Sequence, residues 1–244
     1  MSSPKTKPGQ PQQAVFFDLV TTRGQRLSPW CWHVRMALAH KQVAVETVLV
    51  PFTGKTVIEA LDAHTLPVFK DTDGTVLRQS HEIVDHLEAT RTGQALYPGG
   101  AAGLNFIRFV HRHIQTQLFP SLVPLIIMDI PDLLEGEDRD YFITSREARF
   151  GKSLAEVCAD REQRREVFTA RLEPFRKLLT HTRWISGESP AHADYLLFGT
   201  LQWARISSNF SILDTDDPLA EWFSRSLSLF EGLGESEPAR KDTV

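Results

Sequence analysis

Cysteine is scarce in this sequence: two residues in 244, Cys31 and Cys158. Two are too few for a disulfide framework, and the expectation is a reducing, cytoplasmic setting. An excess of positive charge is also missing. The net charge of −4 argues against nucleic acid as the main partner. No apolar run approaches membrane-spanning length. The longest, around LVPLIIMDI, is interrupted by Pro124 and Asp129, so no membrane partner is expected. Residues 1–13 are polar and carry Pro4, Pro8 and Pro11, which reads as a flexible tail without a signal peptide. No internal repeat is evident. The length that remains is enough to bury a real core in one large domain or two modest ones.

Between residues 14 and 90 the hydrophobic pattern alternates between strand and helix. AVFFDLV reads as a strand, and Pro29–His40 as a helix with Trp30, Val34, Ala37 and Leu38 at helical spacing. VAVETVLV is a β-branched strand and KTVIEALDAH a short helix. LPVFKD and TVLRQ are strands joined by an Asp-Gly turn at Asp73 and Gly74, and HEIVDHLEA closes the unit as a helix. The order β-α-β-α-β-β-α predicts a small α/β sandwich rather than a doubly wound sheet. Residues 91–100, with Gly93, Pro98, Gly99 and Gly100, read as a linker. From 101 to 235 every periodic segment is helical. ADYLLFGTLQWARISS is apolar nearly all round and is expected to be the buried centre of a bundle. Residues 236–244 read as a second tail.

Three motifs fail on spacing. TGKT at Thr53–Thr56 lacks the glycine a phosphate loop needs five residues before Gly54, where Leu49 stands. His81 and His86 are five apart, not the four that put two zinc ligands on one helix face. His111 and His113 project to different faces. No metal site is expected. Cys31 occupies the second position of a would-be C-x-x-C pair whose first position is Ser28. One turn inside a helix, it reads as a small buried hydrophobe.

Ser28 followed by Pro29 is a strong helix start, with Ser as cap and Pro at the first helical position. The same helix end presents unpaired N–H groups and a positive dipole end, which favour an anion such as a thiolate. Ser80, after Gln79, opens a second helix that suits a carboxylate in the same way. Leu66-Pro67 stands between them at the start of the third strand, and the sequence leaves the isomer of Pro67 open.

At these landmarks the N-terminal half resembles the glutathione-binding domain of the glutathione transferases: Ser28 after the first strand, HTLPVF entering the third, RQSHEIVDHLE opening the third helix. WISGESPAHADYLLFGTLQWAR, Trp184 to Arg205, is similar to that family's hallmark helix. The resemblance runs from Ala14 to Gly234. SPWCWHVRMALAHK, EDRDYF, RLEPFRKLL and DDPLAEWFSRSLSLFEGLG look like the β-etherase-like branch, bacterial enzymes that cleave lignin aryl ethers with glutathione and related fungal transferases. Its S-P-x-x-W motif is matched by Ser28, Pro29 and Trp32.

The resemblance implies a thioredoxin-like domain followed by an all-helical domain, glutathione as co-substrate without a metal, and a homodimer. It implies that Ser28 sits beside the glutathione sulfur. Leu66 would pair its backbone with the tripeptide, Pro67 would be cis, and Gln79 and Ser80 would hold the γ-glutamyl end. His64 would meet the glycine carboxylate. Lys41 is a second candidate for that carboxylate by charge, with a plain surface lysine as its simpler reading. Asp194 would cap and help fold the hallmark helix. Trp30, Phe106, Val110 and Trp203 are the candidates for a hydrophobic pocket that holds an aromatic electrophile. Gln79 departs from the acid many members carry. Ala191 departs from the usual Ser or Thr cap, with Ser189 and Pro190 as an alternative start. Three functions stay open: glutathione-dependent aryl ether cleavage, general conjugation of electrophiles, and binding of glutathione or apolar ligands without turnover.

Overall fold

The structure is a computed structural model that describes residues 13–242. The tail read at 1–13 therefore lies outside the described residues except for Gln13. Four strands form one mixed sheet in the order β2-β1-β3-β4: β1 Ala14–Leu19, β2 Val45–Val50, β3 Val68–Lys70 and β4 Val76–Leu77. β1 runs parallel to β2 and antiparallel to β3, and β3 is antiparallel to β4. β1 is apolar on both faces because helices cover both sides of the sheet centre; Phe16 packs into one core and Phe17 into a second. Three helices complete this unit: α1 Pro29–His40, α2 Thr56–Glu59 and α3 Ser80–Thr90. The unit is thioredoxin-like, and the rest of the chain is helical.

The helical part begins with α4 Gly100–His113, which continues through a wider π turn at Ile114–Leu118 into α5 Phe119–Ile126. Pro120 and Pro124 lack the N–H groups a regular helix needs here. At the same turn the Gln117 carbonyl accepts from Arg171 Nη1 at 2.7 Å and Ser121 Oγ at 2.8 Å. A 3-10 stretch, Ile127–Leu133, leads to α6 Gly136–Phe150 and the short α7 Leu154–Val157. The basic amphipathic segment after residue 160 divides into α8 Arg161–Arg171 and α9 Glu173–Leu179, with Pro174 at the start of the second. α10 His192–Ser207 is the buried centre: of its sixteen residues only Arg205 is not buried. α11 Pro218–Leu227 lies beside it.

α10 packs directly on α1, and the approach is at backbone distance. A Cβ at Gly199 would lie 2.6 Å from the Pro29 carbonyl oxygen and 3.4 Å from His33 N. The end of the chain, read as a tail, is packed as far as it is described. Glu237 and Ala239 are buried, and Glu237 Oε1 accepts from Arg26 N at 3.1 Å. Among the described residues no helix is long and apolar enough to cross a membrane.

Candidate functional site

The C-terminal end of β1, the N-terminus of α1 and the start of β3 meet at one end of the sheet. A cavity of about 430 Å³ opens there, and Leu19, Ser28 and Leu66 line it from this side. Small-molecule sites run to roughly 300–1,000 Å³. α5, α6 and α10 supply the other wall, so the cavity lies between the two parts of the chain.

Ser28 is the N-cap of α1. Its backbone is extended and its Oγ accepts from Cys31 N at 3.3 Å, with Pro29 in the first helical position. The cap uses one acceptor site of the hydroxyl, and the same side chain is a hydrogen-bond partner of the buried Cys31 thiol; a hydroxyl offers one donor and two acceptor sites in all. The loop before it is fixed by Trp32 Nε1, which donates to Arg26 O at 2.6 Å. Cys31 is 1% exposed and does not line the cavity. Burial, and next the Asp18 carboxylate, push its thiol well above the ordinary range. Asp18 is itself fully buried, 3.8 Å from Arg35 Nε and 3.5 Å from Arg26 Nη1. Burial raises its carboxyl against the pull of these two cations.

The Leu66–Pro67 peptide is cis. His64 and Leu66 line the cavity; Pro67 is buried behind them. β3 pairs with β4 in a register that matches Phe69 with Leu77 and Lys70 with Val76. Carried on by two residues, it sets Gln79 opposite Pro67. Gln79 is the N-cap of α3 with no side-chain cap bond, and Ser80 is the first helical residue. The cap expected of Ser80 is thus one residue too late, and neither residue is among those lining the cavity.

The far wall is aromatic. Trp30 of α1 stacks on Phe119 of α5 at 5.2 Å, and Phe119 stacks on Trp203 of α10 at 4.9 Å with planes 11° apart. Of the four residues proposed for a hydrophobic pocket, Trp30 and Trp203 line the cavity. Phe106 and Val110 do not. Val110 is buried in the core of the helical part, and Phe106, one turn earlier on α4, is 37% exposed. Lys41 also falls elsewhere. It is the C-cap of α1, thirteen residues and roughly 20 Å along the helix axis from Ser28 at 1.5 Å per residue. Its Nζ is ion-paired with Glu88 Oε2 at 2.8 Å.

Sequence reasoning missed Phe119 and one whole wall. α6 presents Phe142, Arg146, Arg149 and Phe150 to the cavity, at the spacing that keeps residues on one helix face. The loop after β2 is held to α6 by Asp138. It accepts from Phe52 N at 3.1 Å, Thr53 N at 2.8 Å and Thr53 Oγ1 at 2.6 Å. That contact brings Lys55 to the rim, where its Nζ donates to Tyr141 Oη at 2.9 Å. The bond pulls the Tyr141 phenol below its ordinary value.

Asp194 stands away from the cavity, in the first turn of α10. Oδ1 accepts from Ile185 N at 2.7 Å and Trp222 Nε1 at 3.0 Å; Oδ2 accepts from Ser186 N and Ala191 N, both at 3.1 Å. The N-cap position is Ala191, not Ser189, and it has no side-chain cap bond; Asp194 supplies the reciprocal half of a capping box by accepting from Ala191 N, while Asp194 N donates to Ala191 O at 3.0 Å. Among the described residues no group of three or more His, Cys, Asp or Glu side chains is arranged to hold a metal ion.

Two family models match the chain. Glutathione S-transferase, N-terminal domain, matches residues 24–95, and Glutathione S-transferase, C-terminal domain, matches residues 105–224. A glutathione S-transferase-like protein, ustS of Aspergillus flavus, is 23% identical over 158 residues, covering 58% of this chain and 57% of that protein. The chain therefore matches little more than half the length of that relative. Glutathione transferase GSTFuA2 of Phanerochaete chrysosporium has a similar fold. Its TM-score is 0.72 at 22% identity, over 93% of this chain and 99% of the other. Glutathione S-transferase CsGST63524 of Ceriporiopsis subvermispora, solved in complex with glutathione, also gives 0.72, at 20% identity over 90% and 96% of the two chains. With both domain models in chain order on a thioredoxin-like sheet and a helical second part, the chain belongs to the glutathione S-transferase superfamily.

Proposed function

We propose that the chain is a glutathione transferase that holds the glutathione sulfur as a thiolate at Ser28 and presents it to an aromatic electrophile. One observation carries this reading: Ser28, the cap of α1, lines the same cavity as the Trp30–Phe119–Trp203 stack. A thiol of ordinary pKa about 8.5 becomes partly ionised at neutral pH when a helix N-terminus and a hydroxyl donor face it. The stack holds the acceptor in line with the sulfur, which turns a bimolecular encounter into a positioned one.

The remaining roles follow the ends of the tripeptide. Leu66, with Pro67, offers backbone to the cysteinyl residue, and Gln79 and Ser80 at the start of α3 take the γ-glutamyl end. Lys55 and His64, both at the cavity, take the glycine carboxylate; Lys41 has no part. Aryl ether cleavage is the finer reading, supported by an aromatic wall suited to an aryl group. The thiolate attacks the ether-bearing carbon, a C–S bond forms as the C–O bond breaks, and the phenolate leaves.

The test is conjugation of glutathione to 1-chloro-2,4-dinitrobenzene, followed by release of phenol from an aryl ether with an adjacent ketone. Turnover of the chloroarene supports the transferase; equimolar phenol and thioether add the etherase. Glutathione binding with no turnover of either points to a binding protein instead.

A further inference from the structure

Among the described residues, the charged ones that line the cavity are Lys55, Arg146 and Arg149, and none of the lining residues is acidic. The chain as a whole carries −4, so this cationic wall runs against the overall charge. Asp138, on the same side of α6, is the nearest acid on that helix face. It is buried and turned into the loop after β2, where neutral donors take its oxygens. Arg146 is half-buried, lies over the Phe142 ring at 4.8 Å and donates to Ser145 Oγ at 3.0 Å. Among the described residues, neither Arg146 nor Arg149 is ion-paired with an acid. Arg149, in the last turn of α6, also complements the helix C-terminus. That accounts for its charge but not for its place on the wall between Phe142 and Phe150. A guanidinium beside an aromatic face suits a planar anion, since its fork matches a carboxylate.

Resting on the transferase reading, we infer that the acceptor is an aromatic molecule carrying an anionic group, with its ring on the Phe119 side and its anion held by Arg146 and Arg149.

The experiment quenches the fluorescence of Trp30 and Trp203 with 4-nitrobenzoate and with its neutral methyl ester. S-methylglutathione is present throughout, to occupy the tripeptide site without reacting. The acid is expected to bind about tenfold more tightly than the ester, the factor worth about 1.4 kcal/mol. Arg146→Gln with Arg149→Gln removes most of that preference, the ester losing far less. Arg146→Lys with Arg149→Lys retains part of it. In the unaltered protein the preference shrinks as salt rises from about 0.01 M to about 1 M, where the screening length falls from about 30 Å to about 3 Å. Equal binding of acid and ester overturns the inference, as does a preference that follows Lys55→Gln and ignores the arginines. If the acid is preferred but no electrophile is ever conjugated, the transferase reading fails and the anion site stands.

Discussion

Gly199 of α10 faces the Pro29 carbonyl of α1 so closely that an added Cβ would stand 2.6 Å from that oxygen. The atom met is backbone, at the first turn of the helix that carries Ser28. Helix propensity alone favours Gly199→Ala by about 1 kcal/mol. The overlap acts the other way, and forcing extra volume into a packed contact costs about 1–3 kcal/mol. Gly199→Ala is therefore expected to lower stability in a urea melt and to weaken glutathione binding, because α1 must shift at its active end. A more stable variant with unchanged affinity would show that the contact does not position Ser28.

Asp194 collects four donors while fully buried. Asp194→Ala leaves three backbone N–H groups and the Trp222 indole without that partner. Hydrogen bonds to a charged group contribute about 1.5–3 kcal/mol each, and the losses overlap. A fall of about 3–5 kcal/mol is expected in chemical denaturation, with the glutathione Kd of the folded fraction little changed. A large loss of affinity at unchanged stability would contradict a folding role.

Acid weakens the seam between the two parts of the chain. His33 of α1 and His192 of α10 are buried, with ring centroids 5.2 Å apart, and His111 of α4 lies 6.5 Å from His33. Burial, and next His111, lower His192 from 6.5 to about 3; burial, and next His192, push His33 well below 6.5. The folded state then binds fewer protons than the unfolded one. Stability is whole above about pH 6.5 and is lost as pH falls from there towards 3. At pH 4.5, two units below the unfolded value, His192 alone accounts for about 3 kcal/mol. His33 acts in the same direction. Melts at pH 7 and pH 4.5 should show this loss, and His192→Phe should flatten it. An unchanged pH slope in His192→Phe would assign the acid sensitivity elsewhere.

Elements set by local chemistry were readable in advance. Ser28-Pro29 dictated the start of α1, and Asp73-Gly74 dictated the turn between β3 and β4, where Gly74 sits at φ 90°. What sequence could not place depends on contacts between distant residues. Lys55, Arg146 and Arg149 reach the cavity because Asp138 ties α6 to Thr53, 85 residues earlier. Lys41 was a candidate on charge alone, and charge does not say which end of α1 faces the ligand. Phe106 and Val110 share a helix with plausible spacing, but the cavity wall came from Phe119, beyond the π turn that re-aims the chain.

The most direct measurement is a glutathione titration near neutral pH, followed by the ultraviolet absorbance of the thiolate, on the unaltered protein, Ser28→Ala and Ser28→Thr. Loss of the cap costs Ser28→Ala about 1 kcal/mol of stability, whereas Thr keeps both hydroxyl and cap. The account expects a thiolate signal that weakens in Ser28→Ala and persists in Ser28→Thr. A signal equal in all three, or glutathione bound with no thiolate at all, would contradict the role given to Ser28.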